Sequence, residues 1–165
     1  MRAHLKAAVW IMFGVLLLGT QMPVGASDSP PNRESLRGLK GVAVLIEDID
    51  PHIAAEGLTR DTIQNDVELR LREAGISILT GPTDPYLYVR VSVQERVDIW
   101  FYVIEVSLKQ AVTLYRNPEI SLDGSTWSVM GYGSVGKDMG VNEVRDNVKD
   151  EADRFANAYL SVNPK

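Results

Sequence analysis

The chain contains no cysteine. That excludes disulfides, a thiol nucleophile and zinc held by thiolates. It also excludes the lipidated cysteine with which a bacterial envelope lipoprotein would begin. Histidine is nearly absent, with only His4 and His52. There is no G-x-S-x-G elbow for a serine hydrolase and no D-x-D-x-D-G calcium loop. Positive charge is in deficit, 17 Lys and Arg against 22 Asp and Glu for a net −5. No basic cluster reverses this locally, so phosphate backbones are repelled and nucleic acid is excluded as a partner. The apolar run Ala7 to Gly19 ends at Thr20 and Gln21, short of the roughly 20 residues that a bilayer-spanning helix needs.

What is present at the N-terminus is an export signal. Arg2 and Lys6 precede the apolar run, and Pro23 and Val24-Gly25-Ala26 follow it. A basic start, a short apolar centre and small residues before the cut describe a secretory signal peptide. The expected cleavage after Ala26 removes Arg2, Lys6 and no acid, so the net charge moves from −5 by two units to −7. The remainder suits one domain with one core. The expected organisation is a signal peptide over 1–26, a flexible polar, proline-bearing leader over 27–38 and a single domain over 39–164. The expected location is exported and soluble, either periplasmic or extracellular, with no transmembrane segment after cleavage.

Within the domain, Val42 to Ile46 is a continuously apolar run, as for a strand buried on both faces. Glu47-Asp48-Ile49-Asp50-Pro51 stops it. Thr59 is placed to cap a helix whose first turn carries Asp61. Leu58 and Ile63 flank that cap as a hydrophobic staple. Ile63, Val67, Leu71 and Ala74 form its apolar stripe, and Gly75 ends it. Ile76 to Leu79 reads as a short strand before Gly81-Pro82. Leu87, Val89, Val91 and Val93 alternate with Tyr88, Arg90, Ser92 and Gln94. After a turn within Arg96 to Trp100, Tyr102, Ile104, Val106 and Leu108 alternate with Glu105, Ser107 and Lys109. Period-2 patterning of this kind marks antiparallel strands with one buried and one wet face. Asn117-Pro118 and Asp123-Gly124 signal a longer connection, followed by a fifth strand over 125–132. A last helix over 142–162 carries Val144, Val148, Ala152, Phe155 and Tyr159 on one stripe. The predicted fold is α+β, a two-layer sandwich in the order β-α-β-β-β-β-α, with a mixed five-stranded sheet and two helices on one face.

Two motifs invite a chemical reading. Gly131-Tyr132-Gly133-Ser134-Val135-Gly136-Lys137 fits G-x-G-x-x-G and nearly fits a phosphate loop. Asp138 stands where that loop needs a hydroxyl, and no strand follows to complete a βαβ unit. The expectation is therefore a turn in which glycines allow close packing and positive φ, with no cofactor. Glu47, Asp48, Asp50 and His52, with Glu56 nearby, could hold a divalent cation. This acidic corner supports the alternative function, a small metal-dependent or hydrolytic enzyme using Asp48, Asp50 and His52. Strand-ending acids before a helix are also ordinary turn chemistry, and neither motif yields a catalytic or metal-site assignment.

The remaining candidate is a surface. With helices over the Leu87-Val89-Val91-Val93 face, the other face presents Tyr88, Arg90, Gln94, Glu105 and Lys109, with Tyr115 and Tyr132. Tyrosine and arginine are enriched where proteins meet, although cross-strand pairing also accounts for such residues. Trp100-Phe101 near the hairpin turn either forms an aromatic docking tip or folds back onto the core. The candidate partner-binding set is Tyr88, Arg90, Trp100, Glu105 and Lys109, and the expected partner is another envelope protein.

Leu36-Arg37-Gly38-Leu39, Thr62 to Gly75 (TIQNDVELRLREAG) and Phe155 to Pro164 (FANAYLSVNP) carry a resemblance over Leu36–Pro164. The region resembles a group of exported bacterial proteins of unknown function. In topology it is similar to small envelope domains, such as the N-terminal domain of the Tol-Pal propeller protein and the lipopolysaccharide-assembly lipoprotein. That resemblance implies a non-catalytic binding or accessory module of the cell envelope.

Overall fold

In a computed structural model, residues 27–81 and 85–164 are described. The signal peptide expected over 1–26 lies outside them. The elements are α1 (Pro30–Arg33), β1 (Ala43–Ile46), α2 (Pro51–Ala55), α3 (Arg60–Glu73), β2 (Tyr86–Arg96), β3 (Ile99–Leu114), β4 (Asn117–Gly136) and α4 (Gly140–Val162). The α+β class stands. Its detail differs from the prediction: the sheet has four strands in the order β1-β2-β3-β4, and there are four α-helices among the described residues.

Three local causes explain the difference. Ile76–Leu79 does not enter the sheet and makes only a single parallel bridge, Val42 to Ile78. The stretch lies between the helix-ending Gly75 and Gly81, both at positive φ, and meets only Val42, one residue ahead of β1. The parallel crossover therefore joins β1 to β2 through α2 and α3. At the other edge, the expected long connection is strand. β3 and β4 pair to Leu114 and Asn117 around Tyr115 and Arg116, with bulges absorbing the irregularities. Finally, β1 is an edge strand rather than one buried on both faces, and Leu45 is exposed.

α3 forms as its sequence dictates. Thr59 accepts from the Thr62 amide at 3.3 Å, and the Thr62 hydroxyl answers at the Thr59 amide. At the other end Gly75 takes φ 79°, while Ile76 N–H donates to Leu71 O and Gly75 N–H to Arg72 O, both at 2.9 Å. This closure satisfies carbonyls the helix would leave open. α4 lies beside α3 and across β3 and β4. Arg145 of α4 grips Asp66 of α3 through two bonds of 2.7 and 2.9 Å, a bidentate geometry that fixes the helices' relative position. Phe155 meets Trp127 edge-on at 5.2 Å, in a core of Leu87, Val89, Ile104, Val106 and Leu108.

The leader is not a loose tail. Residues 30–36 are helical, and Leu36 is fully buried. Asp28 accepts from the Trp127 indole N–H at 3.0 Å and from Arg33 at 2.6 and 2.8 Å. The Arg33 hydrogen bond, helped by Trp127, holds the Asp28 carboxyl below its usual range. Pro30 at the helix start and a polar cap at Ser29 show why proline here began a helix rather than a coil.

The decisive feature of the sheet is the alternation of β3. Trp100 is 0% exposed and its neighbour Phe101 is 49% exposed on the opposite face. Truncating Trp100 to alanine should therefore cost about 3–5 kcal/mol, while Phe101→Ala should change stability by less than about 1 kcal/mol. Urea unfolding midpoints of the two variants test this.

Candidate docking face

Among the described residues, the helices cover one face of the sheet and no element covers the other. β2 and β3 pair Tyr88 with Ser107, Arg90 with Glu105, Ser92 with Val103 and Gln94 with Phe101. On β4, Met130 lies opposite Glu105, Tyr132 opposite Val103 and Ser134 opposite Phe101. The expected set Tyr88, Arg90, Glu105 and Lys109 thus shares the open face. Trp100 does not join them. It stands on the core side against Gly140, where a Cβ would come within 2.5 Å of the indole ring. Of the two places foreseen for the Trp100-Phe101 pair, each residue takes one, because adjacent strand residues point oppositely. Tyr115 sits on the β3–β4 turn, fully exposed.

The face divides into two halves of different chemistry. The polar half is internally paired. Arg90 Nη2 lies 2.9 Å from Glu105 Oε2, the Tyr88 hydroxyl donates to Glu47, and Lys109 Nζ sits 5.8 Å from the Tyr88 ring centre. Each is a cross-strand or cation–π contact of ordinary strength. The Glu47 hydrogen bond, with burial and the carboxylate's charge, pushes the Tyr88 phenol up to about 12. The apolar half has no such internal partners. Ile99, Phe101 and Val103 of β3, with Met130 and Tyr132 of β4, stand exposed side by side, Tyr132 at 81%. Val103 and Met130 did not figure among the expected residues. Their signal was in the sequence, because Phe101 and Val103 share the parity of Glu105, so apolar residues occupy the wet face.

The acidic corner does not assemble. Asp50 caps α2 through the His52 amide at 2.8 Å. Asp48, 93% exposed, points to Arg60 at 3.5 Å. His52 Nε2 faces Glu95 at 3.3 Å, and Glu47 serves Tyr88. Among the described residues no group of three His, Asp or Glu side chains could hold a metal ion. These acids are dispersed by ordinary capping and pairing.

The Gly131–Lys137 run is likewise not a loop. Residues 131–136 belong to β4, and none of its glycines has positive φ. Close approach is their role. A Cβ on Gly131 would lie 2.6 Å from Glu151 Oε1, and one on Gly133 would strike the Tyr102 hydroxyl. Glu151 reaches under the sheet from α4, bound to Arg154 at 2.8 Å, with its carboxyl pushed up by burial. A shallow cleft of about 510 Å³ at the start of α4 is lined by Glu56, Asp98, Trp100, Lys137, Asp138 and Val141. Lys137 there is taken by Glu56 at 3.1 Å and Glu95 at 2.9 Å.

No family model matches the chain, and no curated protein matches it. Among solved structures it aligns with a minor lipoprotein from Acinetobacter baumannii at 10% identity and a TM-score of 0.36, covering 75% of this chain and 94% of that one. A likeness so distant transfers no role. No helix among the described residues is long and apolar enough to cross a membrane.

Two outcomes follow from this geometry. Millimolar Mg²⁺, Ca²⁺ or Zn²⁺ should leave the melting temperature within about 1 °C of the metal-free value, since a ligand stabilises only by binding the native state; calorimetry reads this directly. For Tyr88, the folded pKa exceeds the ordinary 10.0. Its contribution is therefore complete below about pH 10 and lost as pH rises through about 12. Ultraviolet titration of Tyr88→Phe should lack one phenolate step near pH 12 that the wild type shows.

Proposed function

We propose that the chain is an exported, non-catalytic binding or accessory module of the cell envelope that engages a protein through its open sheet face. The observation that carries this reading is the exposed apolar cluster Phe101, Val103, Met130 and Tyr132 on a face that no element among the described residues covers. Contiguous apolar surface kept in water marks contact sites rather than folding needs. Aromatic and aliphatic groups flanked on one side by a rim of paired polar groups are the components from which interfaces are built. Tyr88, Arg90, Glu105 and Lys109 supply that rim.

Export rests on the N-terminal pattern of basic, apolar and small residues. The dispersal of Asp48, Asp50 and His52 weighs against the metal-dependent or hydrolytic alternative.

The test is capture of partners by the tagged chain, crosslinked in its native envelope, with surface variants as controls. Phe101→Asp should cut recovery of the captured protein at least tenfold. The triple change Tyr88→Ala, Arg90→Ala and Lys109→Ala should weaken it, and circular dichroism should be unchanged in both. Undiminished capture by Phe101→Asp would show that the open face is not the contact.

A further inference from the structure

The apolar half of the open face begins at the β2–β3 turn. Val97 there has φ 54°, a left-handed conformation that β-branched residues rarely adopt. Its side chain is 88% exposed. The stripe continues through Ile99, Phe101 and Val103 on β3 to Met130 and Tyr132 on β4. We propose that this surface is a two-fold interface between two copies of the chain. The inference rests on the reading of the open face as protein-binding and names its occupant.

Area supports a second copy. With aromatic side chains of about 150–250 Å² and smaller aliphatic ones, the exposed fractions of these six residues present on the order of 500 Å² per copy. Two copies then bury about 1,000 Å², the level at which a specific interface separates from incidental contact. Ser92, Gln94 and Ser134 flank the stripe and add to that total.

Charge supports it as well, and selects the orientation. The chain carries a net −5, so most of its surface repels a second copy, whereas none of the six stripe residues is charged. Arg96 lies opposite Ile99 at one end and has no ion-pair partner among the described residues. Glu105 lies beside Met130 at the other end, paired with Arg90. A carboxylate has acceptor sites for a second guanidinium. A two-fold axis across the strands exchanges the two ends of the stripe and brings Arg96 to the end that carries the Arg90–Glu105 pair. An axis along the strands keeps Arg96 at its own end, away from that carboxylate, and is disfavoured. The product is a four-layer assembly with helices outside and the two sheets packed about 10 Å apart.

The full chain, produced in its own cells with a photo-crosslinking residue at position 101 or 132, tests the proposal. The expected product has twice the mass of the chain. A product with a different protein only would overturn the dimer and leave the protein-binding reading intact. No product from either position would overturn both. In a second measurement, sedimentation of the purified protein should give a dimer for the wild type and a monomer for Phe101→Glu with unchanged circular dichroism. A wild type that is monomeric at high micromolar concentration would overturn the inference.

Discussion

The register of the β2–β3–β4 ladder is the constraint on which everything else depends. Side chains alternate with a period of two, so a slip of one residue would exchange every core residue of β3 for a surface one. Trp100, Tyr102, Ile104, Val106 and Leu108 would then face water, and Phe101 and Val103 would face the helices. Several contacts pin the register. The tight turn at Val97 and Asp98 fixes Arg96 against Ile99, and Arg90 against Glu105 follows from it. On the β4 side, Gly133 admits the Tyr102 ring and Gly131 admits Glu151. Larger residues at these positions would force the strands apart.

From that register the two layers follow. α3 and α4 are locked by Asp66 and Arg145 and cover the core face, and the leader closes over Trp127 through Asp28. Nothing among the described residues covers the opposite face. The sheet is therefore amphipathic in an unusual sense. Its polar half is internally paired apart from the buried Ser107 hydroxyl, and its apolar half is kept in water. Exposure of one hydrophobic side chain needs no explanation, but a contiguous set spanning two strands does.

Much of this was legible in the sequence where the signal was local. The cap at Thr59, the stop at Gly75, the turn between Arg96 and Trp100, and the alternation of β2 and β3 all rest on spacing within a few residues. What depended on distant partners was not legible. Ile76–Leu79 has the composition of a strand but meets only Val42, ahead of the β1 ladder. Asn117-Pro118 and Asp123-Gly124 carry turn composition yet sit in a paired strand, because β3 supplies a long antiparallel partner. Asp66 is an ordinary surface acid until Arg145 meets it from 79 residues away. The glycines of 131–136 signal flexibility in isolation and serve close packing in the fold. Of the candidate residues, Tyr88, Arg90, Glu105 and Lys109 share the open face by strand alternation, and Trp100 lies on the core side. The apolar patch around Val103 and Met130 forms only when the β3–β4 register sets the two strands side by side.

The most direct measurement is hydroxyl-radical footprinting of the protein in its native envelope, compared with the purified protein at high dilution. The account predicts that Phe101, Met130 and Tyr132 oxidise readily in the dilute protein and are protected in the envelope, while Trp100 is protected in both. Equal oxidation of Phe101, Met130 and Tyr132 in the two settings would contradict it.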